Sequence, residues 1–244
     1  MPDQRVLVLG GTRMAREAAN ALVERGLSVI TSFAGVTRTP HLPHGEIRVG
    51  GFGGVEGLVR YLREKKFDLV VDATHPFAAQ MSAHGHEACA RFGVQLIRFE
   101  VPAWQAQKGD EWRDVISVAG AVQSLHVNAK VAVTVGRKEI AAFFARADLS
   151  GIARMIEPPA VDVPSQWQVL LERPPFTLED EIDVLRTCAA EILVSKNAGG
   201  ARAAKLDAAA ALGLRVIMVV RPFKPAVFTV TQISELLGTL KIAG

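Results

Sequence analysis

Cysteine is scarce: Cys89 and Cys188 are the only two in 244 residues, each in an alanine-rich stretch without a C-x-x-C partner. That excludes a disulfide framework and a thiolate zinc site, and leaves both as small apolar side chains of helices. His84 and His86 stand two apart on a predicted helix and so on different faces. They form no metal pair, and no metal is expected. Aromatic residues are only 6%, blocks of like charge are absent, and 28 Lys and Arg against 25 Asp and Glu leave a net charge of +3. A basic stripe interleaved with stacking rings is therefore missing, which argues against nucleic acid as a partner. No apolar run approaches the ~18 residues that a membrane span needs. Met1-Pro2-Asp3-Gln4-Arg5 leads into a strand without signal-peptide architecture. The expectation is a cytoplasmic protein with no membrane partner.

What is present is core-forming material, 49% hydrophobic residues in a chain long enough for one large or two small domains. The organising stretch is Val6-Leu7-Val8-Leu9-Gly10-Gly11-Thr12-Arg13-Met14-Ala15, followed by the amphipathic pattern Ala18, Ala19, Leu22, Val23. It reads as a buried strand, a tight turn and a helix. Such a turn brings backbone N–H groups close to a phosphate, because glycine places no Cβ in the way and the helix dipole favours an anion. The first slot of the usual three-glycine fingerprint is shortened here, and any flavodoxin-like fold turns at this place too. A dinucleotide cradle and a plain strand-to-helix turn both stay open on this stretch alone.

The next predicted strand covers residues 27–32. In NAD-preferring folds its end carries an Asp or Glu for the ribose hydroxyls. Here it carries Ser32, then Ala34, Gly35 and Arg38, with no carboxylate to repel a 2′-phosphate. Ser32 as a hydrogen-bond donor, Arg38 as a cation and Arg13 at the start of the neighbouring helix point to NADPH over NADH. A solvated loop charge is the other reading of Arg38. A short strand at 46–49 then meets Gly50-Gly51-Phe52-Gly53-Gly54 ahead of a helix over 55–65. That loop either wraps the cofactor or serves as a hinge.

Residues 67–72 form a further buried strand that runs into Ala73-Thr74-His75-Pro76, with Pro76 in the first turn of the following helix. Asp72, Ala73, Thr74 and His75 thus fall at the carboxyl end of a parallel strand beside the glycine turn, where open α/β sheets bind ligands. His75 faces that ligand or hydrogen-bonds a loop carbonyl. A strand at 94–98 completes a doubly wound series, and the rhythm breaks shortly afterwards. The predicted domains are 1–102 and 103–244.

The second half repeats the scheme, with strands predicted at 115–118, 130–135, 153–156, 167–171, 191–195 and 215–220. Thr177 caps an acidic helix start and Thr231 the last helix. Strand exits are cationic: Gly136-Arg137-Lys138, Lys196-Asn197 before a helix carrying Arg202 and Lys205, and Arg221. Their recurrence argues for one anion-binding cleft more than any one of them does. The expected fold class is α/β, two Rossmann-like or flavodoxin-like domains whose parallel sheets face a central cleft.

Leu9-Gly-Gly-Thr12, Asp72-Ala-Thr-His-Pro-Phe-Ala78, Glu172-Arg-Pro-Pro-Phe176, Val194-Ser-Lys-Asn-Ala-Gly-Gly200 with Lys205-Leu-Asp207, and Val220-Arg-Pro222 stand in this order along the chain. Together they resemble the precorrin-6A reductase family of cobalamin biosynthesis over nearly its whole length. Arg13-Met14 departs from the acidic residue common in the family at that point. The resemblance implies NADPH-dependent reduction of one macrocycle C=C bond, precorrin-6A to precorrin-6B, with hydride to C19 and a proton to C18. A tetrapyrrole rimmed with acetate and propionate groups would account for cations at several strand ends. On that reading Gly10, Gly11, Thr12 and Arg13 hold the pyrophosphate, and Ser32, Ala34, Gly35 and Arg38 take the 2′-phosphate end. Asp72, Ala73, Thr74 and His75 line the nicotinamide side. Arg137, Lys138, Lys196, Asn197 and Lys205 hold substrate carboxylates. His75 is the catalytic candidate, a proton donor for which water can substitute, since hydride transfer needs mainly apposition.

Other classes remain open from sequence. Glycosyl transferases that use nucleotide sugars also pair two Rossmann-like halves, and a dinucleotide sensor would bind without turnover. Within the family, a cobalt-bearing ring reduced with NADH is the alternative to a metal-free one. A monomer and a small homo-oligomer are equally compatible with the sequence.

Overall fold

A computed structural model describes residues 4–33, 35 and 42–240. The chain divides into two compact units, one reaching to Pro102 and resuming at Phe223, the other covering Ala103–Pro222. In chain order the first unit runs β1 (Arg5–Leu9), α1 (Arg13–Glu24), β2 (Ser28–Phe33), β3 (Glu46–Val49), α2 (Gly54–Lys65), β4 (Leu69–Asp72), α3 (Ala79–Phe92) and β5 (Gln95–Phe99). The second holds β6 (Glu111–Val115), α4 (Val118–Gln123), β7 (Lys130–Thr134), α5 (Ala141–Phe144), β8 (Ser150–Met155), β9 (Trp167–Leu171), α6 (Leu178–Thr187), β10 (Ile192–Lys196), α7 (Ala204–Ala211) and β11 (Arg215–Val219). The chain then adds β12 (Thr229–Val230) and α8 (Ile233–Gly238).

The first sheet is parallel throughout, in the order β3-β2-β1-β4-β5-β12. Its strand order reverses between β1 and β4, and ligands of open α/β sheets bind outside the carboxyl ends of strands at such a point. β1 shows why both faces are covered. Val6 and Val8 pack with Ala15, Ala18, Ala19 and Leu22 of α1 and with Leu236 of α8, whereas Leu7 and Leu9 pack with Leu58 and Leu62 of α2 and Cys89 of α3. Strand alternation splits one apolar run between two cores, and the i, i+3, i+4, i+7 spacing of α1 supplies one of them. The second sheet, also parallel, runs β9-β8-β7-β10-β11-β6 and reverses between β7 and β10.

Three sequence expectations are corrected. The tail assigned to the second domain returns to the first: β12 pairs with β5, Arg98 N–H donating to Phe228 O at 2.9 Å and Glu100 N–H to Val230 O at 3.1 Å. A two-residue strand after a Pro-rich segment has no periodicity to read. β6 lies at 111–115 rather than 115–118, because Ser117 accepts the Gly120 N–H and caps α4. Arg202 lies ahead of α7 rather than on it, its guanidinium bound to Asp110 at 2.7 Å and to Asp207 at 2.5 Å.

Candidate active site

At the first unit's reversal point, Leu9 lies opposite Ser32 on one side and Asp72 on the other. Gly10 donates its N–H to Ser32 O at 2.8 Å, and a Cβ there would meet Thr31 Cγ2 at 3.0 Å, so glycine lets the turn pass close to β2 without displacing that methyl. Gly11 takes a φ of +113° with open space where a side chain would stand. Thr12 caps α1. Its hydroxyl accepts the Ala15 N–H at 3.0 Å and donates to Ala73 O at 2.8 Å, a cap of about 1 kcal/mol that also ties the helix to the end of β4. The Thr12 side chain is thus committed within the protein. An anion would be met by the backbone N–H groups opening α1, which have no intrahelical partners. The turn therefore fits a pyrophosphate through main chain and open space, and Arg13, ion-paired to Glu17 at 3.4 Å, stays exposed beside it.

At the end of β2, Ser32 is buried and its hydroxyl is approached by Arg48 Nη1 at 3.4 Å. Gly35 is exposed, and Ala34 and Arg38 lie outside the described residues. Arg48 comes from β3, opposite Ser32 in register. It donates to Gly50 O and Gly51 O and lies over the Phe52 ring, so the glycine loop is pinned at its start by a cation. α2 is entered through Gly53 and Gly54 with φ of 80° and 81°, a left-handed pair that glycine alone adopts freely.

The end of β4 is a buried polar network. The Asp72 carboxylate is 1% exposed and receives the Thr74 N–H at 3.2 Å, the Thr74 hydroxyl at 2.7 Å and Arg98 Nε at 3.3 Å. Thr74 Oγ1 also lies 3.2 Å from Ser82 Oγ of α3. Asp72 is therefore a scaffold for the turn rather than a free ligand. His75 is exposed at the tip of that turn. Its Nδ1 accepts the Phe77 N–H at 3.2 Å, so the neutral ring carries its proton on Nε2, the nitrogen able to donate to a ligand. Its carbonyl accepts from Lys224 Nζ at 3.4 Å, and the same ammonium lies 3.1 Å from Glu100.

In the second unit the predicted cations gather at the carboxyl ends of β7 and β10 but differ in what they already hold. Arg137 pairs with Glu157 at 3.0 Å, and Lys196 pairs with Glu139. The Asn197 amide is spent on the Trp104 backbone, accepting its N–H at 2.8 Å and donating to its carbonyl at 2.9 Å. Lys138 is exposed. Lys205, in the first turn of α7, donates to Thr134 Oγ1 at 2.9 Å, with the Trp104 ring centroid 5.8 Å away. Burial pushes its ammonium down to about 8; Arg154 adds to the depression and Glu181 opposes it. A half-buried ammonium near a reversal point, with one N–H given to Thr134 Oγ1, has the chemistry to meet an anion.

A family model described as "Precorrin-6x reductase CbiJ/CobK" matches residues 5–241. The chain belongs to this family. It is 43% identical over 225 residues to the precorrin-6A reductase of Rhodobacter capsulatus, covering 91% of this chain and 90% of that one. It is 40% identical over 234 residues to the precorrin-6A reductase of Rhodococcus erythropolis, 94% of each chain being covered. A solved structure, "CobK precorrin-6A reductase", matches with a TM-score of 0.89 at 41% identity over 96% of this chain and 95% of that one. Membership of the precorrin-6x reductase family places the chain among oxidoreductases.

Set in that family, the sequence reading brings Gly10, Gly11, Thr12, Asp72, Ala73 and Thr74 to one reversal point, and Lys196, Asn197 and Lys205 to the ends of β10 and α7 at the other. It misses Arg48 and Arg154. The register that sets Arg48 against Ser32 spans the 34–45 connection, which carries no pattern linking the two. Arg154, 9% exposed, binds Glu181 at 2.5 Å and lies over the Phe176 ring at 3.9 Å, while Nη1, 3.9 Å from Glu172, is buried and has no hydrogen bond among the described residues. A single arginine inside an apolar strand gives no signal of that surrounding cluster.

Proposed function

We propose that this protein reduces precorrin-6A to precorrin-6B with NADPH. The observation that carries the reading is the Gly10–Thr12 turn bound to the end of β4, which sets a main-chain phosphate cradle beside Thr74 and His75 in a chain that belongs to the reductase family from 5 to 241. When bound, the reduced nicotinamide supplies a hydride, here assigned to C19 of the macrocycle. The first unit binds and orients: the turn holds the pyrophosphate, Ser32 and Arg38 take the 2′-phosphate, and the Asp72-braced Thr74 lies at the nicotinamide side. His75 is the group beside the nicotinamide that can donate a proton, assigned to C18. Arg137, Lys138, Lys196 and Lys205 of the second unit hold acetate and propionate groups, with Asn197 keeping Trp104 in place beside them.

The test is turnover of precorrin-6A followed by loss of reduced-coenzyme absorbance, with NADPH and NADH compared in the intact protein and in Arg38→Ala. The expected result is preference for NADPH, weakened selectively in the variant by ~1.5–3 kcal/mol, the worth of a hydrogen bond to a charged group. Coenzyme bound without turnover would instead make the protein a sensor, and absence of coenzyme binding would remove the reading altogether.

A further inference from the structure

Arg48 is a cation without a carboxylate partner among the described residues, although it is only partly exposed. Its hydrogen bonds go to neutral acceptors: Gly50 O, Gly51 O at 2.9 Å and the Ser32 hydroxyl at 3.4 Å. Carbonyls satisfy N–H groups but leave the unit charge in place. The guanidinium is also held in one orientation, 3.9 Å from the Phe52 ring centroid and 5.1 Å from that of Tyr61. Five N–H groups serve these three acceptors, so the fork keeps donors for an anion. Its location is specific. Ser32 is the penultimate residue of β2, at the strand end against which parallel dinucleotide folds set the adenosine ribose, and Arg48 is its register neighbour on β3.

We propose that Arg48 is a specificity-determining residue for the coenzyme, its guanidinium meeting a 2′-phosphate at the Ser32 hydroxyl. The inference rests on the NADPH reading and adds to it a residue from a different strand. A planar fork matches phosphate oxygens, and a guanidinium already ordered by a ring loses little rotamer freedom on binding. The competing role, bracing the glycine loop through Gly50 O and Gly51 O, treats a phosphorylated and an unphosphorylated ribose alike.

Calorimetric titration of the full chain with 2′,5′-ADP and with 5′-AMP separates the two roles, since these probes differ only in the 2′-phosphate. The intact protein is expected to bind 2′,5′-ADP at least about tenfold more tightly. In Arg48→Gln that advantage is expected to shrink by about tenfold to a hundredfold, as for loss of a charge-assisted bond, with 5′-AMP affinity little changed. Arg48→Lys, which keeps the charge without the fork, should retain part of it, and this variant decides the matter if the glutamine variant does not fold. An intact protein that discriminates, with variants that still do so in full or that weaken both probes equally, overturns the role of Arg48 and leaves the NADPH reading standing. An intact protein that binds both probes alike overturns the NADPH reading and this inference with it.

Discussion

Arg98 and Asp72 face each other across β5 and β4, Nε 3.3 Å from Oδ2, with side chains 7% and 1% exposed. The same guanidinium donates from Nη1 to Pro225 O at 2.9 Å, so one buried cation joins the carboxylate that braces Thr74 to the returning tail. Among the described residues Nη2 is buried without a partner, so the pair is incompletely satisfied there. Breaking such a pair from one side strands the other charge, which costs more than replacing both. Arg98→Met is therefore expected to lower unfolding free energy by about 3–5 kcal/mol in urea titrations, and Asp72→Asn combined with Arg98→Met to recover much of it. A loss below about 1 kcal/mol for the single variant would mean that the pair is not what holds this turn.

Lys224 acts one layer further out. Its side chain is 6% exposed and its ammonium spans Glu100 and the carbonyl of His75, so the residue that follows β5, the tail and the His75 turn meet at one nitrogen. Lys224 touches the turn through its backbone alone, which makes it a positioning residue. In Lys224→Met, kcat should fall several-fold while the KM for precorrin-6A stays within about twofold, and Lys224→Arg should restore most of the loss. If the KM for precorrin-6A moves instead of kcat, Lys224 contacts substrate and the positioning account is wrong.

How far the sequence alone reaches is visible in these residues. Gly10-Gly11-Thr12 and Asp72-Ala73-Thr74 are legible because each is a short contiguous signal at the end of an apolar run, and parallel pairing of buried strands brings such ends together. The tail is not legible, since β12 is two residues long and is fixed by Arg98, 127 positions before Pro225. Asn197 shows a subtler limit: its place after a strand suggests a ligand, but its amide is consumed by Trp104, 93 residues away. Lys205 reads equally well as a solvated helix charge, and only the structure shows it drawn in against Trp104 and the Thr134 hydroxyl.

Lys205 carries a pH prediction. Its folded pKa of about 8 lies below the ordinary 10.5, so between those values the folded protein binds fewer protons than the unfolded chain. Stability from this group therefore rises with pH across that window, and below about 8 the buried charge is a cost. Binding of a polycarboxylate needs the charged form, so affinity should fall as pH rises through about 8. Uroporphyrin, a porphyrin rimmed with acetates and propionates, serves as a probe followed by its absorbance. Lys205→Arg should flatten the decline, because a guanidinium stays protonated there, and Lys205→Met should gain stability at neutral pH while binding weakly. A decline that persists unchanged in Lys205→Arg would place the titrating group elsewhere.

The proposal that His75 supplies the proton for the macrocycle can be tested at that one residue. The Phe77 N–H at Nδ1 fixes the ring at the tip of a turn that Asp72 and Lys224 hold from behind, and the neutral ring then carries its proton on Nε2. If His75 delivers the proton, His75→Gln loses about a hundredfold in kcat. Glutamine can still donate a hydrogen bond from its amide, so coenzyme affinity should change little, which separates proton delivery from binding. Stopped-flow turnover with NADPH and precorrin-6A measures kcat, and titration with the coenzyme measures the affinity. A variant that keeps the parental kcat removes His75 as the proton donor and leaves water to supply the proton.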